Sequence, residues 1–149
     1  MWAATHIAMG LYLFLMFERL ATIENRLVLF LIIIAGAILP DIDIATSTFG
    51  KRIKIVGEVF KHRGFIHTIF ALIIFSLLVH TIWHNNIYTL GFALAFLFHL
   101  ILDSFTKAGI KPFWFGWKLK GFTKTGSVVD KFIFVFLVIV SVLIVFDII

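Results

Sequence analysis

The sequence predicts an all-α fold: a polytopic membrane helical bundle of about five membrane-embedded helices, one domain over residues 1–149, with a cytoplasmic N-terminus. Three observations predict it. Of the 149 residues, 62% are hydrophobic and 14% charged, against ~45–50% and ~25% in an ordinary soluble domain. The mean hydropathy of +1.11 leaves too little polar surface to cover a body in water, so the bilayer must be the solvent. The apolar residues fall in five runs joined by polar connections, with no long linker, low-complexity tract or internal repeat.

The first run, about Trp2 to Phe17, follows Met1 directly. It lacks the positive n-region and the small-residue cleavage site of a signal peptide, so it is expected to be retained as a helix. The second, Leu27 to Pro40, ends where Pro40 turns its predecessor away from helical geometry. The third, Phe65 to Trp83, and the fourth, Ile87 to Leu102, are separated only by His84 to Asn86. The fifth, Phe132 to Ile149, follows Ser127-Val128-Val129-Asp130, the spacing of a capping box with Ser at the N-cap and an acid at N3. Several runs fall short of the ~20 residues of a perpendicular span, so their polar ends continue the helices or dip into the bilayer.

Lys and Arg set the orientation. Connections alternate sides, so the second (Lys51, Arg52, Lys54, Lys61, Arg63) and the fourth (Lys107, Lys111, Lys118, Lys120, Lys124, Lys131) share one side and hold eleven of the thirteen basic residues. The positive-inside rule makes that side cytoplasmic. The net charge of +5 and pI of 9.8 are therefore topological, and no nucleic-acid partner is expected. The segment Pro112-Phe113-Trp114-Phe115-Gly116-Trp117 between Lys111 and Lys118 suits the headgroup layer and reads as an interfacial anchor to membrane lipids. The absence of cysteine excludes disulfides, thiolate metal sites and Cys nucleophiles, leaving His, Asp, Glu and hydroxyls for chemistry.

Ionisable side chains at span ends are costly and call for a partner or a task. His6 opens the first run, Asp41 and Asp43 follow the second, His62, Arg63 and His67 open the third, and His99 and Asp103 close the fourth. The predicted topology puts all of them at the cytoplasmic ends of their helices. His99-Leu-Ile-Leu-Asp103 has the i,i+4 spacing that lets both side chains ligate one ion, or lets the carboxylate orient the imidazole. Standing alone it would read as a structural pair; the three clusters at the same level favour a metal site. Asp41 and Asp43 project from an irregular turn after Pro40 that can present either or both to a cation. His62 and His67 reach one site only if the backbone turns before the helix, which Gly64 permits. Arg63 reads equally as a phosphate clamp and as a topogenic charge. Asp130 has a sufficient role as a cap, with a second role as ligand or base open. His80 and His84, at the opposite face, should not join the site, and Glu18, Arg19, Glu24 and Arg26 read as exterior loop charges. Gly10 reads as a close-packing residue of the first helix.

Thr5-His6 with Gly10, Leu39-Pro40-Asp41-Ile42-Asp43, His62-Arg63-Gly64 with His67-Thr68, and His99 to Asp103 running into Thr106-Lys107-Ala108-Gly109 together resemble the YdjM-like family. These small inner-membrane proteins are described as metal-dependent hydrolases, some labelled LexA-binding. The likeness runs in order over nearly the whole chain. Gly126-Ser127 with Asp130 resembles the family's final Gly-Ser-x-x-acid element, with Asp130 where Glu is more usual. The resemblance also implies a distant likeness to zinc-dependent phospholipase C and single-strand nucleases, whose His-x-x-x-Asp pair His99 and Asp103 resemble.

The expected function is therefore a membrane-embedded hydrolase with one to three divalent ions, Zn²⁺ foremost, held among His6, Asp41, Asp43, His62, His67, His99 and Asp103, with Asp130 a lesser candidate. Such ions activate water and offset phosphoryl charge. Phosphoester hydrolysis at the cytoplasmic interface fits Arg63 and the basic rim, with Asp41 or Asp43 as general base and phospholipid-like substrates. Two other classes are an ion-binding or transport protein and a lipid- or partner-binding protein. Transport needs polar groups across the membrane, which the aliphatic middles of the runs lack; partner binding leaves the His and Asp residues unexplained. A membrane protease would need a His-Glu-x-x-His or Gly-x-Ser-x-Gly element, and neither occurs.

Overall fold

The computed structural model describes residues 1–44, 65–113 and 115–148, with the backbone alone at 42–44. Among these residues the regular structure is helical: α1 (Ala3–Leu20), α2 (Arg26–Ile38), α3 (Ile69–Trp83), α4 (Asn86–Ser104) and α5 (Val128–Val145). Two 3-10 turns, Leu39–Ile44 and Phe65–His67, extend α2 and precede α3. The Ser127 cap read from the sequence is present, beside three others. Asn25, Thr68, Asn85 and Ser127 each accept a backbone N–H of the following helix, satisfying donors that the first turn otherwise leaves open.

The five helices agree with the expected number, but the described residues do not give five spans. Two helices, Asn86–Ser104 and Val128–Val145, are long and apolar enough to cross a bilayer. At ~1.5 Å per residue, α2 with 13 residues and α3 with 15 fall short of the ~30 Å hydrocarbon layer. The second and third runs exceed their helices because 3-10 turns take up their ends: Leu39–Ile44 at the end of the second run, Phe65–His67 at the start of the third. The outward faces are apolar. Ile73, Ile74, Leu77 and Leu78 on α3 and Val135, Phe136, Ile139 and Val142 on α5 are exposed, a surface that lipid covers and water does not favour.

α1 and α5 run parallel, with Arg19 at the end of α1 donating to the Ile144 carbonyl and to Asp147 at the end of α5. α2 and α4 also start together, as the Asn25 N–H donates to the Tyr88 hydroxyl at 3.0 Å. Between them Leu29, Ile33, Phe92, Ala95 and Phe96 form the buried core. Glycine sets the spacing of that contact: a Cβ at Gly36 would lie 2.7 Å from the Phe92 carbonyl oxygen, and one at Gly10 3.1 Å from Ala37 Cβ. The packing role read for Gly10 holds.

The connection from α4 to α5 is a compact frame. The Ile110 and Leu119 backbones pair in both directions, at 2.8 and 2.9 Å, and Thr106 pairs with Thr123. Gly109 has φ +61°, a left-handed conformation that glycine adopts without strain. The frame caps α3 directly, since the Pro112 carbonyl accepts the Ile69 N–H at 2.9 Å. Its outer side exposes Phe113, Phe115, Trp117 and Phe122 beside Lys107, Lys111, Lys118, Lys120 and Lys124.

Candidate metal centre

The parallel pairing of α1 with α5 and of α2 with α4 collects particular helix ends on one side of the bundle. These are the starts of α1, α3 and α5 and the ends of α2 and α4. Asp41, His67, His99 and Asp103 converge there, each offering one donor atom within 4.8 Å of the others.

Each donor has a local reason for its place. Asp41 stands in the first turn of the 3-10 segment after Pro40 and is 24% exposed, at the mouth of the group. His67 closes the 3-10 turn Phe65–His67. Thr68 fixes that turn, its hydroxyl donating to the Phe65 carbonyl at 2.6 Å and accepting the Ala71 N–H at 3.2 Å. The backbone thus turns at Thr68 before α3 begins, while Gly64, the expected pivot, lies outside the described residues. His99 and Asp103, both 1% exposed, lie one turn apart on α4.

His99 is oriented through its other ring nitrogen. Its Nδ1–H donates to the Ala37 carbonyl at 2.7 Å, a carbonyl of the last turn of α2 and so without an intrahelical partner. A carbonyl only accepts, so Nδ1 carries the proton and Nε2 turns its lone pair to the centre. A second-shell bond of this kind holds metal-binding histidines elsewhere. It depends on the close approach that Gly36 permits.

The spacing suits an ion. His99 Nε2 lies 3.7 Å and His67 Nε2 3.9 Å from Asp41 Oδ1, and His67 Nε2 3.8 Å from Asp103 Oδ2. Donors ~2.0–2.2 Å from a tetrahedral ion stand ~3.3–3.6 Å apart, so these three pairs need contract by only a few tenths of an ångström, and the remaining pairs of the group stand within 4.8 Å. Two imidazoles and two carboxylates form a donor set that suits Zn²⁺.

His6 borders this group without belonging to it. It is buried, its ring stacks on His99 with centroids 3.8 Å apart, and its Nε2 is 3.4 Å from Asp103 Oδ1. The Met1 nitrogen donates to the same oxygen. Asp130, also buried, is not brought into the donor group. Its Oδ1 accepts the Thr5 hydroxyl at 2.7 Å, and its Oδ2 accepts the Trp2 N–H at 2.9 Å and the Gly126 N–H at 2.8 Å. It ties the first turn of α1 to the start of α5. His62 and Arg63 lie outside the described residues, as does the side chain of Asp43. Thr5 and Thr68 entered the sequence reading only as motif residues beside a histidine, with no role assigned, because nothing local names the partner of either hydroxyl.

His80 and His84 sit at the far end, as expected, with His80 Nδ1 3.3 Å from the Thr89 hydroxyl. The loop charges there pair across segments: Arg26 meets Glu18 at 3.2 Å, and Arg19 meets Asp147.

Fold and site together define a small helical membrane protein with a His/Asp donor group buried at one end. The chain belongs to the YdjM inner membrane protein family, whose family model matches residues 1–148. It is 31% identical over 113 residues to the uncharacterized protein YvsG of Bacillus subtilis (strain 168), covering 71% of each chain. It is 36% identical over 90 residues to the inner membrane protein YdjM of Escherichia coli (strain K12), and equally to that of Shigella flexneri. Those matches cover 54% of this chain and 46% of each relative, so the matched region spans about half their length. No solved structure matches the chain.

Proposed function

We propose that this protein is a membrane-embedded, metal-dependent hydrolase acting on phosphoester, lipid-like substrates at the cytoplasmic interface. The observation that carries the reading is the convergence of Asp41, His67, His99 and Asp103 from three separate segments, with only Asp41 reaching the surface. Gathering two buried imidazoles around buried Asp103, which the Met1 nitrogen also meets, and half-buried Asp41 is a costly arrangement that a cation among the four donors would offset. A divalent ion, Zn²⁺ by donor type, supplies Lewis-acid chemistry: it activates water and offsets charge on a phosphoryl oxygen. The chain's own residues do the rest. Asp41, at the rim, is placed to take a proton from an entering water, a role it shares as candidate with Asp43. The buried histidines keep bulk water from the floor, and the exposed lysines after Asp103 favour anionic headgroups. Arg63 remains the candidate phosphate clamp.

An ion pathway is disfavoured by the core. Leu29, Ile33, Phe92 and Phe96 fill the space beyond the centre, leaving no polar route toward the far end among the described residues.

The test is metal analysis of the purified protein, coupled to hydrolysis of a fluorogenic phosphodiester and a labelled phospholipid in nanodiscs. A stoichiometric divalent ion and turnover that chelation removes and Zn²⁺ restores are expected. A wild-type protein that binds no divalent ion would end the proposal.

A further inference from the structure

We propose that the groove between α1 and α5 binds one zwitterionic phospholipid with a primary ammonium headgroup, from the leaflet at the end away from the His/Asp group. Its phosphate meets Arg19, its ammonium Asp147, an ester carbonyl Ser141, and one acyl chain lies along the groove. The site goes beyond the proposed function and does not depend on it.

The shape selects a chain. The groove runs from Ala8 to Leu15 on α1 and from Val138 to Val145 on α5, so each wall is ~10 Å long at ~1.5 Å per residue. Its volume of about 190 Å³ over that length leaves a cross-section of ~20 Å², that of one extended hydrocarbon chain, whereas a helix with its side chains is ~10–12 Å across. Toward the His/Asp end the rings of Trp2 and Phe134, with centroids 5.7 Å apart, close α1 against α5. At the other end Val145 and Phe146 are exposed, so a chain enters from that leaflet.

The lining holds a single polar residue, Ser141. It is 4% exposed, and its hydroxyl has no hydrogen-bond partner among the described residues. A hydroxyl left so is costly in a protein interior and in hydrocarbon alike. Methylenes cannot satisfy it. The ester carbonyl of a glycerophospholipid can, because it lies just inside the phosphate, and Ser141 stands one helical turn, ~5.4 Å, inside Val145.

Charge complementarity selects the headgroup. Arg19 follows Leu15 by one turn on the same face of α1, and Asp147 follows Phe146. The guanidinium donates through Nη2 to the Ile144 carbonyl and to Asp147, leaving Nε and Nη1 open among the described residues for a phosphate oxygen. Asp147 is 87% exposed, so its carboxylate also faces the headgroup layer, where it accepts from an ammonium and repels a purely anionic head. Cation and anion at the mouth, hydroxyl one turn in and apolar walls beyond follow the order of head, ester and chain in phosphatidylethanolamine.

The experiment places the full chain in phosphatidylcholine nanodiscs carrying equal minor fractions of phosphatidylethanolamine and phosphatidylglycerol, and counts retained lipid by native mass spectrometry. A diazirine on the acyl chain of the phosphatidylethanolamine marks where that chain lies. One phosphatidylethanolamine per protein chain is expected, several-fold over phosphatidylglycerol, with adducts concentrated between Leu11 and Leu15 and between Val138 and Val145 rather than on the exposed Ile73, Ile74 and Leu77 of α3. Asp147→Asn should level the two headgroups, and Ser141→Leu, which fills the groove, should remove the groove adducts. Adducts spread evenly over the exposed faces of wild type, or equal retention of the two lipids, would overturn the site. So would a dimer whose groove takes no adduct, the mark of a second copy in place of lipid. These outcomes are read on wild type, so a variant that failed to fold would not rescue the proposal.

Discussion

At one end of the bundle His99 and Asp103, four residues apart on α4, are each 1% exposed. They meet His6 from α1, His67 from the turn before α3 and, for His99, Asp41 from the turn after α2. At the other end His80 and His84, also four residues apart, lie at the C-terminus of α3 and take no carboxylate among the described residues. The spacing is the same and the outcome differs, because spacing fixes only which residues share a helical face. What separates the pairs is whether that face turns into the packing. α4 is buried against α2 along Phe92, Ala95, Phe96 and Leu100, so the next turn of that face carries His99 and Asp103 inward. The last turn of α3 meets the surface, and His84 ends it at φ 47°. A polar pair becomes a site when the core behind it leaves no route to water.

The sharpest test of this contrast is the histidine at each end. His99→Ala should abolish stoichiometric metal binding, a loss beyond the ~10–100-fold that removal of a mere outer-shell partner causes. His84→Ala, measured alongside by plasma mass spectrometry, should retain the full metal content. Equal losses at both ends would erase the distinction.

Asp130 probes whether the His/Asp end is held by its donor residues or by the frame around them. Its carboxylate takes three donors, and an Asn amide can accept with one atom only. Asp130→Asn should destabilise by ~1–3 kcal/mol, the range for a stranded buried donor, as read from denaturant unfolding in detergent. Metal content should persist in the folded fraction, since the oxygens face Thr5, Trp2 and Gly126. Loss of metal without loss of fold would make Asp130 a ligand.

These two residues also mark what the sequence could disclose. The His99–Asp103 pair was legible because a helix translates spacing into proximity within one turn. The five helices and the Ser127 cap of α5 were legible for the same local reason, as hydropathy and a capping hydroxyl act over a few residues. The gathering of four segments at one level followed from counting alternate connections. Invisible was the acceptor that orients His99, a backbone carbonyl at Ala37, because every residue carries one and only the approach of two helices selects which is used. The Thr5–Asp130 bond spans 125 positions and follows from α1 and α5 lying parallel. The end of α2 and the start of α3 were misjudged, because hydropathy does not register the point where a helix gives way to a 3-10 turn.

The Ala37 acceptor can be tested through the spacing that delivers it. In Gly36→Ala the new methyl would meet the Phe92 carbonyl oxygen at 2.7 Å, so α2 and α4 must part by several tenths of an ångström. Overpacking of this kind costs about 1–2 kcal/mol. The same displacement lengthens the 2.7 Å bond from His99 to Ala37, and metal affinity should fall with stability, by no more than the ~10–100-fold that loss of such a bond costs. Isothermal titration beside thermal unfolding separates the effects: lost stability with unchanged affinity would mean that His99 needs no help from Ala37.

The smallest effect belongs to the far end. The Arg19–Asp147 ion pair, with Asp147 87% exposed, is of the solvent-facing kind that contributes ~0–1 kcal/mol. Asp147→Ala should move the unfolding midpoint little, leave metal binding unchanged, and lose even its small effect in high salt, where an exposed pair is screened. Arg19→Ala should cost somewhat more, because the same guanidinium also serves the Ile144 carbonyl at the end of α5. If Asp147→Ala instead loosened metal binding, the two ends would be coupled through the parallel α1–α5 pair. The apolar core between them would then transmit strain from one end to the other, and the buried site could no longer be treated as independent of its exposed counterpart.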